Sequence, residues 1–164
     1  YDVMAAFYMA CSSFMSQNFG AGNKKRVIKS FYISLAYSAG AGAVLGLGLI
    51  IFGRQFLSLF TNEGQVINEG MIRLEVMGFS YAISAFMDSG IAASRGIGKT
   101  FVPTVIVIMG SCVFRVAWLY TVFAHFHTIF SLYLLYAFSW TITAAAEIAY
   151  FAAAYRGAYK QLKG

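Results

Sequence analysis

The chain has 164 residues, of which 60% are hydrophobic and only 11% charged, against about 25% charged in an average soluble domain. So few charges cannot clothe a water-facing exterior, so an ordinary soluble enzyme or binding domain is excluded and the bilayer becomes the main solvent. The net charge of +6 is not a nucleic-acid signal, because most basic residues sit in short gaps between apolar runs.

In chain order, the first apolar run covers 3–17 and is short, and Gly20 and Gly22 stop it as a helix. The next covers 30–52, followed by 72–94, 101–123 and 129–155. A helix needs about 20 apolar residues to cross a roughly 30 Å hydrocarbon core, and these four reach that length. The runs are continuous and do not alternate in ten-residue segments, so helices are expected and not a barrel. Pro103 falls at the start of the fourth run, where its missing donor costs no helical bond. No linker or low-complexity stretch divides the chain, which predicts a single all-α integral membrane domain, a polytopic bundle of about five transmembrane segments. The chain begins without Met and without a signal-peptide pattern, and is expected to be a fragment.

The basic residues alternate in side. The gap after the first run holds Lys24, Lys25, Arg26 and Lys29, the gap after the third holds Arg95 and Lys99, and the tail holds Arg156, Lys160 and Lys163. The other two gaps hold Arg54, with Arg73 just inside the third run. By the positive-inside rule the basic side is cytoplasmic, the C-terminus is inside and the start of the first run is outside. Glu63 and Glu69 in an outer gap weigh little in that rule.

Small residues cluster in the second run at Gly40, Gly42, Gly46 and Gly48, with Ala39 and Ala43 beside them. That spacing lets helices approach closely where no hydrophobic force drives association, either as static packing or as a rocking surface. Aromatic residues make up 18% of the chain, and serve as interfacial anchors, as packing, or as a lining for flat cations. Cys11 and Cys112 lie in apolar runs and are expected to be buried thiols with no disulfide framework.

Ionisable residues inside the membrane are costly and so are functional candidates. Asp88 lies in the third run about two turns from its cytoplasmic end, on a stripe with Met77, Tyr81 and Ser84 that suits a water-filled cavity. Glu147 lies at similar depth in the fifth, on a stripe with Trp140, Thr143 and Tyr150. Arg115 in the outer half of the fourth run and Glu75 near the outer end of the third share a depth, which predicts a structural charge pair. Asp88 and Glu147 are then the candidates for binding and releasing a cation or proton. Gly98-Lys99-Thr100 imitates the end of a phosphate loop, but position 93 is Ala93 and no strand precedes it. His125 and His127 alone make a poor metal site, and no nucleophile–base set suggests enzyme chemistry. No cofactor or nucleic-acid partner is expected.

Two ordered motifs carry a resemblance. The first is Phe14-Met15-Ser16-Gln17-Asn18-Phe19-Gly20-Ala21-Gly22-Asn23 with Lys24, Lys25 and Arg26 after it; the second is Ser94-Arg95-Gly96-Ile97-Gly98-Lys99-Thr100 followed by Pro103. With Leu59-Phe60 closing the outer hairpin, this set resembles the second half of the multidrug and toxic compound extrusion (MATE) transporters over nearly the whole chain. The resemblance implies the last five helices of a twelve-helix, two-lobe transporter in the inner membrane, with a first lobe absent from this chain. It implies export of small cationic or aromatic drugs in exchange for H⁺ or Na⁺, by alternate opening of a central cavity. Between Ala5-Ala6 and Phe14 the family has more helix, so the first segment is internally shortened. The coupling acid that some branches carry on the third run falls near Ser84, one turn before Asp88 on the same stripe. The alternatives are a lipid-linked sugar flippase of the same superfold, which would want several basic residues on the cavity, and a non-transporting scaffold that pairs through Gly42 and Gly46.

Overall fold

The computed structural model describes residues 2–161, apart from the side chains of Phe79, Ile129, Lys160 and Gln161. Lys163 of the expected cytoplasmic tail thus lies outside the described residues, as does the Lys160 side chain. Five helices follow one another: α1 (Asp2–Gly20), α2 (Lys24–Ser58), α3 (Gly64–Gly96), α4 (Phe101–Phe126) and α5 (Ile129–Gln161). No strand occurs among the described residues.

Helices follow from the solvent. In lipid each backbone group needs a partner within its own segment, and side-chain hydroxyls in the runs do the same. Ser30 Oγ donates to the Arg26 carbonyl at 2.6 Å, Ser80 Oγ to Val76 at 2.7 Å and Thr141 Oγ1 to Ala137 at 2.7 Å. Such bonds to the preceding turn let serine and threonine sit in an apolar helix without an orphaned group.

α3 is the centre of the bundle. It packs against α1 and α2 on one side and against α5 and α4 on the other. The α2–α3 crossing uses the small residues: a Cβ on Gly46 would lie 2.5 Å from the Gly78 carbonyl oxygen, and one on Gly42 would lie 2.9 Å from Met4 Sδ of α1. Ser34 Oγ donates to the Phe7 carbonyl at 3.3 Å and ties α2 to α1.

Among the described residues, three helices are long and apolar enough to cross a membrane, Lys24–Ser58, Phe101–Phe126 and Phe130–Tyr159. α3 becomes a fourth if its halves Gly64–Gly78 and Ser80–Gly96, bent by 41°, form one span. α1, expected as a shortened span, is not in this set. That helix runs past the expected 3–17, to 19 residues, but Ser12, Ser13, Ser16, Gln17 and Asn18 dilute its apolar content. α4 also departs from a plain α-helix, with π-helical turns at Ile108–Val113 and Leu119–Phe123. A π turn displaces carbonyls from the usual ladder, and Ser139 Oγ of α5 donates to the Gly110 carbonyl at 2.7 Å. His127 adopts a left-handed φ of 49° after α4 and donates its N–H to the Phe123 carbonyl at 2.9 Å, closing that helix.

Candidate functional site

The two family-like motifs do one local job. After α1, the Asn23 N–H donates to the Asn18 carbonyl and the Gly22 N–H to the Phe19 carbonyl, each at 2.9 Å. After α3, the Lys99 N–H donates to the Ser94 carbonyl and the Gly98 N–H to the Arg95 carbonyl, again each at 2.9 Å. Both are Schellman closures, with Gly22 at φ 69° and Gly98 at φ 78° in the left-handed position. Gln17 and Ala21 are exposed, whereas Asn18 is buried and donates from Nδ2 to the Phe14 carbonyl at 2.8 Å. Gly20 has open space, but a Cβ on Gly96 would lie 2.9 Å from Met15 Cβ. Gly96 therefore brings α3 onto α1. Pro103 is fully buried in the first turn of α4.

Between α1, α3 and α4 these closures frame a cavity of about 680 Å³. Its polar wall holds Tyr8, Ser12, Ser13 and Ser16 from α1, Asp88 and Arg95 from α3, and Thr104 from α4; its apolar lining includes Ile91, Val107 and Ile108. Asp88 is 6% exposed, and Arg95 stands seven residues further along α3, about two turns away. The cavity thus joins an anionic and a cationic side chain through a surface of hydroxyls.

The expected stripe on α3 divides at this point. Asp88 faces the cavity. Ser84 is fully buried and donates to the Tyr81 carbonyl at 2.9 Å. Tyr81 packs its ring on Trp140 of α5, with centroids 6.1 Å apart, and Met77 is half-buried. None of these three lines the cavity.

Glu147 occupies a different place. It is fully buried on α5, where a Cβ on Gly90 would lie 3.0 Å from Glu147 Cβ. Its two carboxyl oxygens have no hydrogen-bond partner among the described residues. The stripe residue Thr143 is also buried and donates to the Ser139 carbonyl at 2.7 Å.

The expected Arg115–Glu75 pair is not formed. Arg115 Nε donates to Ser139 Oγ at 3.2 Å and its guanidinium lies 4.5 Å from the Tyr136 ring centroid, while Glu75 is exposed on α3. Equal depth misled because the outer part of α4 packs on α5 and not on the outer half of α3. A cation over an aromatic face gains electrostatic attraction without a carboxylate. Of the two cysteines, Cys11 is buried as expected, but Cys112 is exposed on the outside of α4.

Sequence reasoning missed the serines of α1 and the facing role of Arg95. The signal was present as Ser12-Ser13 with Ser16 one turn on, a polar patch in an apolar run; Arg95 looked like a loop charge. Among the described residues no group of three or more His, Cys, Asp or Glu is placed to hold a metal ion.

No curated protein matches the chain. The family model for MatE matches residues 1–121, which takes in both glycine closures, the cavity with Asp88, and Pro103. The chain therefore belongs to the MatE family of membrane transporters, and is a multi-pass helical membrane protein.

Proposed function

We propose that the chain works within a two-lobe, cation-coupled multidrug antiporter, and that H⁺ or Na⁺ binding at Asp88 biases its inward- and outward-open states. The observation that carries this reading is the cavity between α1, α3 and α4. It sets a membrane-depth carboxylate among the hydroxyls of Tyr8, Ser12, Ser13 and Ser16. Oxygen donors of that kind suit a hard cation, and an intramembrane acid on a polar wall is a relay for a proton. The volume of about 680 Å³ lies in the range of drug-sized ligand sites, about 300–1,000 Å³. A cation shifts the balance only through unequal affinity for the two states, and Asp88 supplies that inequality if one state hydrates its carboxylate better. On this reading small cationic or aromatic molecules are exported, the basic end faces the cytoplasm, and the carrier resides in the inner membrane. Glu147, buried away from the cavity, is a secondary coupling candidate.

A lipid-linked sugar flippase would need several cations on the cavity wall. Arg95 is present there, but Arg115 is engaged by Ser139 and Tyr136, so the antiporter is preferred. Asp88→Asn keeps the side chain's size and removes its charge. Drug efflux by the full-length protein in energised vesicles is expected to fall at least tenfold, with membrane insertion unchanged. Undiminished efflux would reject the coupling role of Asp88.

A further inference from the structure

A second concave surface opens between α2 and α5, away from the Asp88 cavity. It is a groove of about 280 Å³ lined by Ile28, Phe31 and Tyr32 of α2 and by Ile148, Phe151, Tyr155 and Arg156 of α5, among others. Its floor is built. Phe31 and Phe151 pack with ring centroids 4.9 Å apart, and the Tyr155 hydroxyl donates to the Lys24 carbonyl at 3.1 Å, joining α5 to the first turn of α2. Lys24 Nζ then lies 4.6 Å from the Tyr159 ring centroid.

The lining is graded along the helix axis. Ile148 and Phe151 are apolar, and Arg156 stands at the end. From Ile148 to Arg156 is about 12 Å at 1.5 Å per residue, comparable with the depth of one leaflet of a roughly 30 Å core. The charge at that end has no internal balance. Lys24, Lys25, Arg26 and Lys29 open α2 with no acid in its first turn. Among the described residues none of these cations, nor Arg156, makes an ion pair. The chain's six acidic residues lie elsewhere, at Asp2, Glu63, Glu69, Glu75, Asp88 and Glu147.

We propose that this groove binds one anionic phospholipid from the leaflet on the basic side of the bundle. The acyl chain lies along Phe31 and Phe151, and the headgroup phosphate pairs with Arg156 in the field of the α2 lysines. A basic recess between transmembrane helices at the membrane surface is suited to an anionic headgroup, and each nearby Lys or Arg adds attraction. An aromatic floor with a cationic rim matches a phospholipid's own division into tail and head. This site is independent of the coupling role of Asp88.

The test is native mass spectrometry of the full-length protein, titrated with dioleoyl phosphatidylglycerol or dioleoyl phosphatidylcholine. The wild type is expected to retain the anionic lipid at least fivefold more strongly. Arg156→Gln should reduce that preference to below twofold, and Arg156→Lys should keep most of it. Ala152→Trp, at an exposed lining position, should weaken retention of both lipids by filling the groove. No wild-type preference, or an unchanged preference in Arg156→Gln, would overturn the proposal. So would full displacement of the lipid by millimolar inorganic phosphate, which would make the site a reader of free phosphate. Arg156→Gln leaves the Asp88 cavity intact, so drug efflux assayed in neutral lipid should stay unchanged and separate this proposal from the transport reading.

Discussion

At the scale of single residues, glycine decides how the helices end and how near they come. Gly98 sits at φ 78°, where a side chain costs about 1–2 kcal/mol. Gly98→Ala should therefore lower the stability of the detergent-solubilised protein by about that amount, read as a lower thermal midpoint. Gly20→Ala is the control: Gly20 is helical with open space around it, and alanine there should be neutral or mildly stabilising. Equal losses in the two variants would contradict the assignment of Gly98 as the left-handed closure. The stop at Gly20-Ala21-Gly22 was readable in the sequence, and Gly96-Ile97-Gly98 stood there as part of a family-like motif. That both stops use the same pair of backbone bonds was not readable, since the bonds follow from dihedral angles that no residue pattern prints.

At the scale of helices, the α2–α3 crossing sets backbone directly against backbone. Any Cβ at Gly46 meets the Gly78 carbonyl, and backbone cannot step aside as a flexible side chain does. Gly46→Ala should force the two helices apart and cost about 1–3 kcal/mol, whereas Gly48→Ala, with open space around it, should not. A disulfide trap between cysteines placed across the crossing would show the separation as slower cross-linking; an unchanged rate would refute the contact. The same geometry bears on the scaffold alternative, because Gly42 and Gly46 already face Met4 and Gly78 inside the bundle. A small-residue face in sequence says that something packs closely, and leaves open whether the partner is another chain or the next helix.

At the scale of the whole molecule, α3 separates two environments. One side presents Asp88 and Arg95 to a cavity walled by α1 and α4, and the other sets Tyr81 and Gly90 against α5. If the cavity holds water, as the proposed coupling requires, Ser12→Cys should react with a charged thiol reagent in a background with Cys11→Ser and Cys112→Ser. Val116→Cys, exposed on α4 outside the cavity, should resist the same reagent at least tenfold if that face meets lipid. Comparable rates would mean that the cavity is not aqueous, and the coupling site would have to be sought elsewhere.

The membrane, the helices and the basic side of the bundle were all legible in the chain alone, because hydropathy and charge act through local composition and the bilayer imposes one length scale. The candidacy of Asp88 was legible for the same reason, as an acid that a continuous apolar run must explain. What only the tertiary structure decided was partnership. Arg115 turned to Ser139 and Tyr136 and not to Glu75, Tyr81 packed on Trp140 of α5 and not into the cavity, and the serines of α1 became the wall opposite Asp88. Depth in a membrane is a one-dimensional quantity that a sequence carries well. Which helices are neighbours, and which faces they turn to each other, depends on packing among glycines and aromatic rings in three dimensions.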